Sequence, residues 1–195
     1  MALRAEKFQS HVRAEDVVCE LGVGSGWNLG RLRCARRLGV DTSEFLAERV
    51  TGLGIEFFRD IAAVPDAMAD VAICHHTLEH LLEPVAAIKQ LARILKPQGR
   101  LILHVPWERE RRYSHYLTQE PNHHLYTWNA QNLGNLVAVL GLKINQLEVR
   151  RYGYDRFASS LAARTRTGEF GFRFIRSCLI GLKPLWEVEL VAGDK

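Results

Sequence analysis

The stretch that decides the fold runs Val17-Val18-Cys19-Glu20-Leu21-Gly22-Val23-Gly24-Ser25-Gly26-Trp27-Asn28, an apolar segment that enters a glycine-rich turn. Val17 to Leu21 predict a buried strand, and glycines at alternate positions allow a sharp turn and the close approach of a second molecule. Glu20 is unusual, because an acid at the end of an apolar strand is costly to bury without a partner. A ligand bound at the turn would supply that partner.

The spacing of these glycines disfavours a dinucleotide site. A fingerprint of the form G-x-G-x-x-G needs a glycine where Trp27 stands, and a pyrophosphate would meet the negative charge of Glu20. A ligand that carries positive charge and hydroxyl groups fits this turn better. A glycine-rich turn is weak evidence when it is taken alone, because tight loops of many kinds use glycine.

Apolar runs and helix-like periodicity alternate along the chain. The predicted strands cover about 16–22, 36–41, 55–58, 69–74, 101–105, 143–150 and 185–192. The predicted helices cover about 27–33, 44–53, 81–95 and 129–140, and one or two more are expected between 156 and 182. The polar, basic and aromatic segment 108–126 is expected to be a loop or lid. Strands that alternate with helices predict an α/β fold with a mostly parallel sheet covered on both faces.

Length and composition fit one domain over residues 1–195. Of the 195 residues, 47% are hydrophobic and 25% are charged, as in ordinary globular proteins. The start of the sequence lacks an apolar signal region, and no apolar run approaches the ~20 residues of a membrane span. A cytoplasmic location without a membrane span is therefore expected. Four scattered cysteines form no CxxC pair, so neither a disulfide framework nor a zinc site is indicated.

The chain has a net charge of +4, and most of its basic residues are arginine. Seven arginines but only two acids lie between Arg150 and Arg176. This excess indicates either an ordinary solvated surface or attraction to an acidic partner. Arg109, Arg111 and Arg112 are candidates for binding a carboxylate or phosphate of an acidic acceptor. No nucleic-acid-binding motif is recognisable, which disfavours nucleic acid as a partner.

Polar groups follow the first four predicted strands where each strand ends. They are Glu20 to Gly26, Asp41, Asp60, and His75 to Thr77. In parallel sheets ligands bind beyond the carboxyl ends of the strands, so these groups are expected to converge on one crevice. Asp41, 19 positions after Gly22, would accept hydrogen bonds from ribose hydroxyls or would cap the next helix. Asp60 would bind the exocyclic amine of an adenine or would cap its own turn.

Six motifs together resemble those of class I S-adenosylmethionine-dependent methyltransferases, in the small-molecule branch of types 11 and 23. They are Glu20-Leu21-Gly22-Val23-Gly24-Ser25-Gly26, Asp41, Asp60, Asp70-Val71-Ala72-Ile73, Leu78-Glu79-His80-Leu81 and Leu95-Lys96-Pro97-Gln98-Gly99-Arg100-Leu101. The resemblance covers about 17–106. It implies a Rossmann-like sheet of seven strands whose last strand, about 185–192, is antiparallel. It also implies S-adenosyl-L-methionine as the cofactor and methyl transfer as the reaction.

The resemblance assigns roles to single residues. Glu20 would orient the amino group of the cofactor, and the three glycines of the turn would pass under its methionine part and ribose. Asp41 would hold the ribose, Asp60 with Ile61 would flank the adenine, and His75 would lie close to the sulfonium. The expected cofactor-binding residues are therefore Glu20, Gly22, Gly24, Gly26, Asp41, Thr42, Asp60, Ile61 and His75.

Seven of the eight histidines lie between His75 and His124. His75, His76 and His104 are expected to meet on neighbouring strands, with His104 in a buried structural role and His123 closing over them. His75, His76 and His123 are therefore the candidate catalytic residues, one of them as the general base for a hydroxyl or carboxyl acceptor. No metal is expected, because a regular ligand motif such as H-E-x-x-H is lacking.

These features predict a methyltransferase that acts on a small-molecule or saccharide-type acceptor, at oxygen or nitrogen. One alternative is a nicotinamide-dependent oxidoreductase, which Glu20 and Trp27 disfavour. The other alternative is a protein that binds the cofactor without catalysis. A monomer or a homodimer is expected.

Overall fold

A computed structural model describes residues 2–107, 115–116, 118–119 and 122–193. Its centre is a sheet of seven strands in the order β3-β2-β1-β4-β5-β7-β6. The strands are β1 (Val17–Leu21), β2 (Arg36–Val40), β3 (Glu56–Phe58), β4 (Ala69–His75), β5 (Leu95–Pro106), β6 (Lys143–Tyr152) and β7 (Leu185–Gly193). β7 pairs antiparallel with β5 and β6, and the other neighbours pair in parallel. The predicted Rossmann-like α/β fold with an antiparallel last strand is confirmed.

Helices lie on both faces of this sheet. They are α1 (Ala2–Gln9), α2 (Ala47–Thr51), α3 (Pro84–Ile94), α4 (Ala130–Val139), α5 (Asp155–Arg164) and α6 (Gly168–Leu182). Alternate side chains of β4 point to opposite faces, as in any strand. Val71 and Ile73 join an apolar cluster with Phe8 of α1, whereas Ala72 joins a second cluster with Leu91 of α3. Among the described residues, no helix is both long enough and apolar enough to cross a membrane.

Two predicted helices are shorter than the sequence suggested. The helix predicted at 27–33 is wrong, because only a 3-10 turn at Leu29–Arg31 forms there. The reason is length: β2 already begins at Arg36, which leaves too few residues for a helix and its loop. The helix predicted at 44–53 is a 3-10 turn at Glu44–Leu46 that continues into α2, which ends before Gly52.

The segment Lys96–Gly99 is an irregularity inside β5. Leu95 lies opposite Ala69 of β4, and Arg100 lies opposite Val71, so four residues of β5 face a single residue of β4. The extra residues loop out of the ladder as a bulge. Most of the predicted loop at 108–126 lies outside the described residues, and Arg109, Arg111 and Arg112 lie there too.

Candidate functional site

A cavity of about 570 Å³ opens at the carboxyl ends of β1 and β4. The turn Gly22–Asn28 forms one wall, and His75 and His76 at the end of β4 form another. The third wall comes from the distant ends of the chain, with Lys7 of α1 and Glu187 of β7. The predicted convergence of strand ends on one crevice therefore holds for the first and fourth strands.

Backbone hydrogen bonds fix the glycine turn against β2. Gly22 N–H donates to the carbonyl of Val40 at 2.8 Å, and Gly24 N–H donates to Asp41 Oδ2 at 2.9 Å. Gly22 has a φ of +74°, and a Cβ there would lie 2.1 Å from Thr77 Oγ1. Only glycine satisfies both conditions, because the positive φ is strained for other residues and the space is filled. The turn therefore packs directly against the segment that follows β4.

Glu20 is buried behind the turn, where its side chain contacts Asn28. Asn28 Nδ2 donates to Glu20 Oε1 at 2.7 Å, and both side chains are at least nine-tenths buried. Burial raises the pKa of Glu20 to about 7, against the opposing effects of the Asn28 amide and the Leu29 backbone. Among the described residues, Glu20 Oε2 and Asn28 Oδ1 have no hydrogen-bond partner, and Asn28 lines the cavity. Asn28 Oδ1 therefore offers an acceptor oxygen to a ligand that donates hydrogen bonds.

Asp41 connects the turn to the end of β2. Its Oδ2 accepts from Gly24, and its Oδ1 accepts from Ser43 N–H at 3.0 Å, while the neighbouring Thr42 is exposed. Each carboxylate oxygen keeps a second lone pair for a further donor. Binding of a ribose by Asp41 and Thr42 stays a prediction.

Asp60 and Ile61 lie beyond the walls of this cavity. Asp60 Oδ1 accepts from Ala62 N–H at 2.9 Å and caps the 3-10 turn at Ile61–Ala63, which is the structural alternative predicted for it. Ile61 is partly buried against the core that contains α3. Their contact with an adenine stays a prediction, with the exposed carboxylate of Asp60 still available.

The histidines of β4 and β5 meet, as predicted. The rings of His75 and His76 are stacked with centres 4.4 Å apart, and His75 and His104 have centres 5.6 Å apart. His104 is 1% exposed, which confirms the buried position predicted for it. His123 is exposed outside the walls of the cavity, and His124 instead packs against His80 with ring centres 4.9 Å apart. The structure thus brings His75 and His76 together and leaves His123 apart.

Lys7 and Glu187 complete the histidine cluster, and neither was predicted as a site residue. Lys7 Nζ donates to Glu187 Oε1 at 2.8 Å, to Glu187 Oε2 at 3.0 Å and to His75 Nε2 at 3.0 Å. His76 Nε2 lies 3.0 Å from Glu187 Oε2. A carboxylate only accepts hydrogen bonds, so this nitrogen of His76 carries the proton. Glu187 therefore fixes the tautomer of His76.

Burial and charge within the cluster determine which of its groups are ionised. Burial, together with the charge of Lys7, lowers the pKa of His75 well below its ordinary value and lowers that of His104 to about 4. Burial alone would raise the pKa of Glu187, but hydrogen bonds from His104 and His76 and the charge of Lys7 hold it well below its ordinary value. At neutral pH His75 and His104 are thus neutral and Glu187 is ionised.

Potential metal ligands converge at two places in the described chain. The ligand atoms of His75, His76 and Glu187 all lie within 4.8 Å of one another, and so do those of Glu79, His80 and His124. In the first group the ammonium of Lys7 already supplies a positive charge between the ligands. The expectation that the protein uses no metal stays a prediction.

Glu187 could have been recognised from the sequence as a candidate site residue. It is an acid inside the apolar strand β7, as Glu20 is in β1, and both are at most 2% exposed. Lys7 carries no such signal, because one lysine in a polar helix is ordinary. Arg150, Arg151 and Arg176 also line the cavity, so part of the predicted arginine-rich stretch does reach the site.

Comparison with known proteins agrees with this fold. The chain matches the model of the methyltransferase domain family Methyltransf_23 over residues 4–147. The tRNA (carboxymethyluridine(34)-5-O)-methyltransferase ALKBH8 of Mus musculus is 29% identical over 119 residues, which are 56% of this chain and 17% of that protein. The chain covers 17% to 32% of the length of the four curated relatives that it matches.

Solved structures share the whole architecture. The YcgJ protein of Bacillus subtilis has a TM-score of 0.69 at 16% identity and covers all of both chains. An SAM-dependent methyltransferase of Thermotoga maritima has a TM-score of 0.68 at 19% identity, covering 100% of this chain and 89% of its own. At such low identity these two structures support the fold alone.

The fold and the glycine turn define a class I methyltransferase architecture. The family match, which spans most of the chain, makes the assignment specific: this chain belongs to the S-adenosylmethionine-dependent methyltransferases of the type 11/23 kind, and S-adenosylmethionine is the cofactor of that family. The predicted alternative of a nicotinamide-dependent oxidoreductase is set aside by this match.

Proposed function

We propose that this protein transfers a methyl group from S-adenosylmethionine to an oxygen or nitrogen atom of a small-molecule or saccharide-type acceptor, with His76 as the general base. One observation carries the proposal: a single cavity is walled both by the glycine turn and by the His76–Glu187 pair. The cofactor supplies, when bound, a methyl group activated by a positively charged sulfur. The residues of this chain have to hold the cofactor, orient the acceptor and remove a proton.

The residues around the turn fit the cofactor. Asn28 Oδ1, in a wall of the cavity, is a buried acceptor atom that has no partner in the described part of the chain, and Glu20 holds the amide in that orientation. The ammonium of the methionine part is a donor of the kind that such an oxygen needs. Asp41 would accept hydrogen bonds from the ribose hydroxyls. Gly24, where a Cβ would meet nothing within 4 Å, leaves the backbone open to close approach.

The orientation of His76 suits it to accept a proton. Its Nε2–H donates to Glu187, so its Nδ1 is the nitrogen that carries the basic lone pair. The carboxylate also stabilises the imidazolium that forms when Nδ1 takes a proton from an acceptor hydroxyl. The neighbouring His75 is a weaker candidate, because its Nε2 accepts from Lys7 and the pKa of His75 is lowered by burial. Among the three predicted catalytic histidines, these contacts favour His76.

The charge around the cavity favours an acidic acceptor. Arg151 lies with its guanidinium carbon 5.1 Å from the ring centre of Trp186, and Arg176 donates to Asp155 at 2.6 Å. Both guanidinium groups keep further N–H donors for a carboxylate or phosphate. Some curated relatives are named as tRNA methyltransferases, so tRNA has to be included among the acceptors that are tested.

Two measurements test the proposal in sequence. Calorimetry with S-adenosylhomocysteine should show binding to the wild type and weaker binding to Asp41→Ala; the absence of binding to the wild type would refute the cofactor site. Transfer of a labelled methyl group from S-adenosylmethionine is then measured over small acids, saccharides and tRNA. His76→Gln should lose about 10²-fold or more in turnover, the usual effect of removing a general base. His123→Gln is the matched control and should stay active.

Each contrary outcome removes one part of the proposal. Cofactor binding without turnover on any acceptor would indicate a non-catalytic binding protein. Methylation of tRNA in preference to small acceptors would contradict the acceptor class. Loss of activity in His123→Gln but not in His76→Gln would overturn the choice of base. The proposal also includes a cytoplasmic location and a monomeric or homodimeric state, for which cell fractionation and light scattering are the measurements.

A further inference from the structure

Helix α6 exposes a row of apolar side chains. Phe170, Phe174, Cys178 and Leu182 follow one another at steps of four residues, a spacing that keeps them on one side of a helix. The side chains of Phe170, Phe174 and Leu182 are 81%, 63% and 84% exposed, and Cys178 is exposed as well. On the adjacent α5, Phe157 is 58% exposed. Exposed apolar groups in such a contiguous row mark an interaction surface.

The two helices are held in place by their inner faces. Ala158 and Ala162 of α5 pack against Phe172 of α6. Arg173 of α6 pairs with Glu6 of α1 at 3.1 Å. This ion pair connects the hairpin formed by α5 and α6 to the rest of the protein. The outward position of the apolar row therefore follows from helices whose other sides are already packed.

Basic residues stand at both ends of the apolar row. Arg164 and Arg166 precede the N-terminus of α6, and Lys183 follows its C-terminus. All three are exposed, and in the described part of the chain no carboxylate forms an ion pair with any of them. The hairpin thus combines exposed aromatic side chains with exposed positive charge.

We propose that the outer faces of α5 and α6, the apolar row with its flanking basic residues, dock onto a membrane surface that contains anionic lipid. A helix with Phe and Leu on one face and Arg or Lys beside them is the pattern of interfacial membrane binding. The apolar side chains would enter the boundary between headgroups and acyl chains, and the basic residues would meet lipid phosphates.

Charge favours a lipid surface over a second copy of this chain. In a two-fold pairing of α6 with itself, the Arg164 and Arg166 end of one copy would meet the Lys183 end of the other. Like charges would then face each other at both ends of the contact. An anionic surface meets all three residues with opposite charge. The same hairpin contributes Asp155 and Arg176 to the cavity, so docking would bring the proposed active site close to the lipid surface.

Co-sedimentation of the full chain with vesicles tests this proposal. Vesicles of phosphatidylcholine mixed with phosphatidylglycerol should bind the wild type, and vesicles of phosphatidylcholine alone should bind it much more weakly. The double variant Phe170→Ser/Phe174→Ser should lose at least about tenfold in affinity for the anionic vesicles. The double variant Arg164→Gln/Lys183→Gln should also weaken binding, and added salt should do the same to the wild type.

A matched control separates this surface from general stickiness. Val139 is 84% exposed at the end of α4, outside the hairpin, and Val139→Ser should bind vesicles as the wild type does. A polarity-sensitive dye on Cys178, in a Cys34→Ser background, should shift to shorter emission wavelength when anionic vesicles are added. The proposal is overturned if the wild type does not bind anionic vesicles, or if Phe170→Ser/Phe174→Ser binds them as tightly as the wild type does. It is also overturned if light scattering finds a dimer that the serine variant dissociates, because a second copy would then cover this face.

Discussion

The substitution Glu20→Gln should remove the pH dependence of cofactor binding near neutral pH. In the free protein, burial raises the pKa of Glu20 to about 7, so the carboxyl group is protonated in slightly acidic solution. A ligand ammonium at Asn28 favours the ionised carboxylate behind it. Binding should therefore release a proton from Glu20, and affinity should rise as the pH increases through about 7.

The size of the effect follows from the same pKa. A rise in the pKa of Glu20 from its ordinary value of 4.5 to about 7 corresponds to about 3 kcal/mol of disfavoured ionisation. If the bound ligand returns the carboxyl group to its ordinary value, the association constant should fall about tenfold between about pH 8 and about pH 6. Glutamine keeps the contact with Asn28 but has no proton to release.

Titration calorimetry with S-adenosylhomocysteine, in two buffers of different ionisation enthalpy, measures both quantities. Near pH 7 the wild type should release about half a proton from Glu20 on binding. The variant Glu20→Gln should lack this release of about half a proton. Thermal unfolding of both proteins controls for damage to the fold. A wild-type affinity that is constant over this range, or a variant with the same proton release, would refute the reasoning.

Three further predictions concern stability. Gly22→Ala should lower the free energy of unfolding by about 2 kcal/mol or more, because Gly22 has a φ of +74° and a Cβ there would clash with Thr77. Gly54→Ala is the control and should lower it by only about 1 kcal/mol, because Gly54 has a φ of +72° but open space around it. Urea unfolding of both variants measures the difference. His104 has its pKa lowered to about 4, so the unfolded chain takes up its proton first, and stability should fall by about 3 kcal/mol between about pH 6.5 and about pH 4. His104→Asn should flatten this slope in urea titrations at several pH values, and an unchanged slope would contradict the assignment. Asn129→Ala, which removes the N-cap of α4, should cost about 1 kcal/mol, and no shift in its melting temperature would count against that cap.

The sequence was most informative where the signal is local. The apolar run of β4 was predicted at 69–74 and forms at Ala69–His75, because strands are set by short apolar segments bounded by polar residues. The glycine turn and Asp41 were predicted as neighbours, and the hydrogen bond from Gly24 N–H to Asp41 joins them. In a parallel sheet, consecutive strand ends lie side by side, so spacing along the chain was sufficient for this half of the site.

The other half of the site depends on contacts between distant parts of the chain. Lys7 and Glu187 are 180 residues apart in sequence. Glu187 reaches the histidines because β7 inserts between β5 and β6, in a register that sets Glu189 opposite His104. Side chains alternate along a strand, so a shift of one residue would turn both acids to the other face of the sheet. Local patterns carry no information on that register, and so the partner of His76 was not predicted.

The position of β7 has a consequence for the order in which a growing chain acquires its parts. Synthesis delivers the glycine turn and its supporting strands first, and they pair through contacts of short separation. β5 then has an open edge until β7 has been made and inserted. Until that moment His76 lacks Glu187 and the ammonium of Lys7 lacks its carboxylate. A nascent chain therefore has the glycine-turn side of the cavity before β7 brings Glu187 to His76.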